Sequence, residues 1–138
     1  EIYTLSLHDA LPISWPGASC FGADIDPARA ADVHIDALGP ESWTCPGVTV
    51  ITNPPYSRAE EFVRRALLEV GPKGTVAMLL RLAFLESKGR AALHNEHPSD
   101  VFVLAKRPSF TGDGRADSAA YAWFVWGPGR GGRWEVLP

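Results

Sequence analysis

The chain has few cysteines, few methionines and no long apolar stretch, and each shortage narrows what it can be. Its two thiols, Cys20 and Cys45, form no Cys-x-x-Cys pair. That removes the common redox and zinc motifs and suits a protein kept in a reducing, cytoplasmic setting. No apolar run approaches the roughly 20 residues a membrane helix needs, and no charged-then-apolar signal segment is present. Basic residues are scarce at first: residues 1–56 carry seven acids against the single base Arg29. Residues 57–138 reverse the balance, with twelve Lys and Arg against nine acids. The net charge of −3 argues against a protein that coats DNA. Arg107, Arg115, Arg130 and Arg133 nevertheless fall in loop-like sequence, where they could meet phosphates. His94 and His97, with Glu96 between them, lack a third metal ligand, so no metal is expected.

What is present is the material of one globular domain: 138 residues, 46% hydrophobic and 21% charged. Residues 19–24, 33–36, 48–52, 75–80, 101–105, 120–126 and 134–137 read as strands. Val48 to Thr52 and Thr75 to Leu80 are apolar enough to be buried on both faces. Pro27 is suited to open a short helix over residues 28–32. The clearest helix starts after Ser57 and Glu60, which form a capping box. It carries Ala59, Phe62, Val63, Ala66, Leu67 and Val70 as one stripe and ends at Gly71-Pro72. A further helix is expected over about residues 85–95. Strands alternating with helices predict an α/β fold with a mostly parallel sheet, and the last two strands, joined without a helix, predict an antiparallel end.

The most specific feature is Asn53-Pro54-Pro55-Tyr56, directly behind the strand at residues 48–52. The Asn53 side-chain oxygen and the Pro54 carbonyl can each accept one N–H of an aromatic amine. That draws the nitrogen toward tetrahedral geometry and aims its lone pair at an electrophile. Two prolines fix φ on successive residues and hold the carbonyls in place. Tyr56 offers a flat face on which an extruded base can stack. An ordinary strand-ending turn would look similar, and such a tetrapeptide arises by accident in about one or two percent of chains this long.

Ligands in open α/β sheets sit beyond the carboxyl ends of strands, and three such ends carry Asp24, Asp36 and Asn53. A carboxylate at Asp24 can accept from both hydroxyls of a ribose, with Ile25 as an apolar face for an adenine ring. Asp36 could accept from that ring's amine. Phe110, in an otherwise polar loop, could sandwich a base from its second side, although filling the core is as good an account of it. Trp123 and Trp126 read as sheet packing.

Four stretches together resemble the S-adenosylmethionine-dependent adenine methyltransferases of DNA, especially the small phage-type ones. They are Gly22-Ala-Asp-Ile-Asp-Pro27, Ile51-Thr-Asn-Pro-Pro-Tyr56, Met78-Leu-Leu-Arg-Leu-Ala-Phe-Leu-Glu86, and Arg107-Pro-Ser-Phe-Thr-Gly112 with Tyr121-Ala-Trp-Phe-Val-Trp126. The resemblance spans about residues 20–126. It implies a Rossmann-like sheet with its last strand inserted antiparallel, S-adenosylmethionine as cofactor and DNA as partner, in the host cytoplasm if phage-encoded. It implies that Asp24 and Ile25 contact the cofactor ribose and adenine and Asp36 the adenine amine. Asn53, Pro54, Pro55 and Tyr56 would hold the target base, with Phe110 and Arg107 as further contacts to the DNA.

The family also carries an aromatic-x-Gly-x-Gly loop after its first strand, and Trp15-Pro16-Gly17-Ala18 does not match it. Residues 1–14 resemble a translated sequencing-adapter read. The expectation is therefore a non-native segment at residues 1–14 and a partial methyltransferase domain at residues 15–138, truncated at its start. The first strand and glycine loop would be missing, and His8 and Asp9 receive no function. Two alternatives stand beside DNA adenine methylation. One is the same chemistry on a release-factor glutamine or a ribosomal RNA amine, and the other is a catalytically silent fragment that at most binds nucleic acid.

Overall fold

The computed structural model describes residues 2–5 (as backbone), 19–42, 46–110 and 117–138. Among the described residues eight strands form one sheet: β1 (Ile2–Leu5), β2 (Cys20–Asp24), β3 (Val33–His34), β4 (Thr49–Thr52), β5 (Thr75–Arg81), β6 (Asp100–Leu104), β7 (Tyr121–Trp126) and β8 (Trp134–Leu137). Their spatial order is β3-β2-β1-β4-β5-β7-β6-β8. Every neighbouring pair is parallel except those made by β7, which runs antiparallel to both β5 and β6. The expected α/β architecture, a mostly parallel sheet with an inserted antiparallel strand, is therefore what forms.

Several details correct the expectation. The place of a first strand, expected to be empty, is filled: Ile2–Leu5 pairs in parallel with both β2 and β4, Leu5 lying beside Ala23 and Thr52. A strand needs only backbone donors and acceptors to complete a ladder, so a segment can occupy that slot whatever its origin. The segment over residues 28–32 is not helical. The Asp26 carboxylate accepts from the Ala28 amide in a tight turn, and Asp32 is tied back to Gly22 by two bonds. β8 is an edge strand as expected, but it lies beyond β6 and does not pair with β7.

The central helix α1 (Ala59–Val70) buries Ala59, Phe62, Val63, Ala66 and Val70, and the amide of Gly71 closes it onto the Leu67 carbonyl. The capping box does not form. Residues Tyr56–Arg58 make a 3-10 turn first, which shifts the helix start past Ser57, and Glu60 pairs instead with Arg64 at 3.1 Å. Arg65 reaches back to the carbonyls of Gly39 and Glu41. The helix expected over residues 85–95 is broken into 3-10 turns at Leu82–Leu85 and Lys88–Arg90 and a short α2 (Ala91–Glu96).

The core lies on one face of the sheet. Cross-strand rows Val50–Val76–Trp126, Met78–Phe124–Val101 and Leu80–Ala122 meet Phe62, Val63, Ala66 and Val70 of α1, with Phe84 and Leu93. Full burial of each large apolar side chain contributes about 1.5–3 kcal/mol. The opposite side of β4 and β5, with Ile51, Ala77 and Leu79, is only half-buried. Within the described residues these apolar runs are fully buried on one face only. No helix among the described residues is long and apolar enough to cross a membrane.

Candidate functional site

Parallel strands deliver their last residues to one rim, and β7, running the other way, delivers its first. Leu5 of β1 lies beside both Ala23 and Thr52, so Asp24 and Asn53 each stand one residue past a common row. Two strand spacings separate them, about 10 Å between backbones. On the far side of β5, Arg81 and Tyr121 are direct cross-strand partners.

Asp24 is 3% exposed. One of its oxygens accepts from the Asp26 amide at 2.8 Å, whereas Oδ2 is buried with no partner among the described residues. A buried acceptor left unpaired is costly, and a ligand hydroxyl would satisfy it. The residue fits a ribose edge on that ground. Beside it Ile25 is 52% exposed, an apolar surface open to a ring. Asp36 is exposed two residues past β3, with one oxygen taken by the Leu38 amide at 2.9 Å.

Asn53 is exposed, and Pro54 behind it is fully buried, so the diproline anchors the loop while the amide stays accessible. Tyr56 folds back and donates its hydroxyl to Asn53 Oδ1 at 2.8 Å. That bond fixes the amide orientation and leaves Oδ1 a second lone pair. Burial, and next the neighbouring Tyr121, push the Tyr56 phenol well above its ordinary ionisation range. It therefore remains a donor at any physiological pH. The Tyr56 and Tyr121 rings lie 5.5 Å apart at a tilt of 53°, and Phe110 meets Tyr121 edge-on at 5.2 Å. The Tyr121 hydroxyl in turn donates to Asp117 at 2.6 Å, a bond that holds the Asp117 carboxyl below its usual range. A cavity of about 350 Å³ opens beside Tyr56, lined also by Leu80, Arg81, Ala83, Phe84 and Arg90.

The rim thus brings together Asp24, Ile25, Asn53, Pro54, Pro55, Tyr56 and Phe110. Arg107 is exposed on the loop after β6 and makes no described contact with this cluster. Arg115 lies outside the described residues. Arg130 and Arg133 are at the opposite end of the sheet, paired with Asp100 and Glu135, so they do not reach this rim. His94 packs edge-on against Phe84, and no metal-binding group of His, Cys, Asp or Glu occurs among the described residues. Arg81, Tyr121 and Asp117 also stand at this rim, although no local sequence pattern marks them as site residues. The signal was the antiparallel direction of β7, which alone returns its first residue to the rim.

No protein-family model matches the sequence, and no curated protein matches it. Solved structures do. A Listeria monocytogenes protein assigned as a class I S-adenosylmethionine-dependent methyltransferase superposes with a TM-score of 0.59 at 13% identity, over 86% of this chain. The chain spans 49% of that protein's length. An Agrobacterium tumefaciens protein assigned as an O-methyltransferase overlaps more loosely, with a TM-score of 0.41 at 20% identity over 64% of this chain and 38% of its own. At such identities the likeness is one of architecture: the chain has the mostly parallel, β7-inserted sheet of the class I S-adenosylmethionine-dependent methyltransferase fold.

Proposed function

We propose that the chain carries the catalytic rim of an enzyme that methylates the exocyclic amine of adenine in DNA, with S-adenosylmethionine as donor. The observation that carries this reading is the pairing, about two strand spacings apart, of a buried unpaired carboxylate oxygen with an accessible side-chain amide anchored by the buried Pro54. The fold likeness supports the cofactor, since methyl transfer from that sulfonium is the activity assigned to the Listeria protein.

When bound, S-adenosylmethionine supplies an electrophilic methyl group. Asp24 would accept from its ribose hydroxyls, Ile25 would back its adenine and Asp36 would accept from the adenine amine. Asn53 Oδ1 and the Pro54 carbonyl would each accept an N–H of the target amine, holding its lone pair toward the methyl. Tyr56 would stack on the target ring. These are effects of position and of preset acceptors, and they require neither a metal nor a covalent enzyme intermediate.

The test is methyl incorporation from labelled S-adenosylmethionine into DNA, RNA and release factor. Label should enter adenine of DNA, and Asn53→Ala should lower the rate by about 100- to 1,000-fold, the usual effect of removing one preorganised polar contact. Label in protein alone would favour the glutamine substrate, label in RNA alone the ribosomal one, and label in none the silent fragment.

A further inference from the structure

Arg81 is exposed at the end of β5, yet its guanidinium is not free in solvent. The guanidinium carbon lies over the Tyr56 ring, 5.1 Å from its centre. Its Nε also reaches the Tyr121 hydroxyl, at 3.4 Å. Both contacts are weak: 3.4 Å is long for a charged donor, and no carboxylate among the described residues lies within ion-pair range of Arg81. The same guanidinium and the same ring line the cavity beside the rim. Arg81 therefore covers part of the surface on which a base would stack.

The two contacts with Tyr56 compete on unequal terms. A solvent-exposed cation over a half-buried ring contributes about two- to five-fold to an equilibrium constant. A nucleobase stacked on such a ring contributes about five- to one-hundred-fold. An arriving base should displace the guanidinium. Once displaced, its planar fork of five donors suits a phosphate far better than a compact ammonium does. We propose that Arg81 exchanges its place on the Tyr56 ring for the phosphate of the nucleotide whose base enters, which makes it the residue selecting a nucleotide over a bare amine. This rests on the nucleic-acid reading above and deepens it. Arg81 acts here as a positioning and specificity residue, with no part in the transfer itself.

Two probes separate stacking from phosphate contact. One is 2-aminopurine riboside, which has no phosphate, and the other is a ten-residue oligothymidylate carrying one central 2-aminopurine. Both are titrated by fluorescence against the wild type, Arg81→Gln and Arg81→Lys, from about 25 to 200 mM salt. Circular dichroism on each variant confirms that an exposed substitution leaves the fold intact. With the riboside, Arg81→Gln should bind about two- to five-fold more tightly than the wild type, because the ring is uncovered. With the oligonucleotide, Arg81→Gln should lower the salt slope by about 0.7, the loss of one single-strand phosphate contact. Arg81→Lys should keep that slope. A wild type that binds the oligonucleotide while Arg81→Gln shows an unchanged slope, or a weaker riboside complex, overturns the exchange and leaves the nucleic-acid reading standing. A wild type that binds neither probe overturns both.

Discussion

At the scale of single residues, Asp24 carries the sharpest expectation. Its two oxygens do different work: Oδ1 holds the Asp26 amide, and Oδ2 is buried without a partner among the described residues. Asp24→Asn can keep the first interaction through its own side-chain oxygen, but it puts an NH2 donor or a weaker acceptor where the second should be. Under the proposed reading, affinity for S-adenosylmethionine should fall about 10- to 100-fold, the usual weight of a charge-assisted pair, while the ligand-free protein melts at an unchanged or higher temperature. Calorimetric titration reads the first and a thermal scan the second. Equal affinity in the variant would take Asp24 out of the cofactor site. Asp24, Asp36 and the Asn53 loop were legible in the sequence because each is a polar residue that ends an apolar run, a local pattern. Arg81, Tyr121 and Asp117 were not, because their meeting depends on which strand neighbours which. Nothing within a few residues of Arg81 announces that Tyr121, forty positions later, will be its cross-strand partner.

Secondary-structure elements were legible to the extent that their causes are local. The stripe of α1 and its glycine stop follow from side-chain period and backbone freedom, and both appear where the sequence puts them. The capping box failed because Pro54-Pro55 feeds a tight 3-10 turn, and the geometry of that entry outweighed one side-chain bond. Residues 85–95 failed as a continuous helix because Arg90 turns inward. It caps the carbonyls of Ala83, Phe84 and Glu86 and stacks its guanidinium on Phe84, so the chain doubles back where a helix would run straight. Gly74 shows what the join between α1 and β5 demands. A Cβ placed there would lie 2.3 Å from Val70 Cβ and 2.8 Å from the Val48 carbonyl oxygen, both in fully packed backbone or core. Neither neighbour is the loose end of a long side chain, so something must move. Gly74→Ala should therefore destabilise the protein by about 1–3 kcal/mol, measured by urea denaturation, with an unchanged denaturant slope if the fold is kept. A variant as stable as the parent would mean that the α1–β5 join is looser than its geometry indicates.

For the whole molecule, the order of the sheet depends on a connection that sequence patterning did not anticipate. After β7 the chain must step over the start of β6 to reach the edge, and a glycine-rich turn over residues 127–132 makes that step. Asp100, the first residue of β6 and 5% exposed, fastens it: Oδ1 accepts from the Gly131 and Arg133 amides at 3.0 and 3.2 Å, and Oδ2 faces Arg130 at 3.3 Å. The Gly131 amide first, with Arg133 and Arg130 adding to it against the cost of burial, holds the Asp100 carboxyl below its usual range. A carboxyl whose folded value is depressed stabilises the fold above its unfolded value, about 3.9, and loses that contribution as pH falls through the folded value. Stability should accordingly be level near neutrality and decline on the acid side, beginning below about pH 5. Asp100→Asn tests the charge alone, because an amide oxygen can still accept both backbone N–H groups while the ion pair with Arg130 is gone. That variant should be less stable at pH 7 by about 1–2 kcal/mol, the difference between charge-assisted and neutral bonds. The gap should narrow as the pH falls below the unfolded value and close once the pH has passed below the folded one, where the parent's own carboxyl takes up its proton. Urea midpoints at pH 7, 5, 4 and 3 for both proteins read this directly. Parallel curves, with the same gap at every pH, would mean that Asp100 holds the turn by shape and not by charge, and would move the acid sensitivity to other carboxylates.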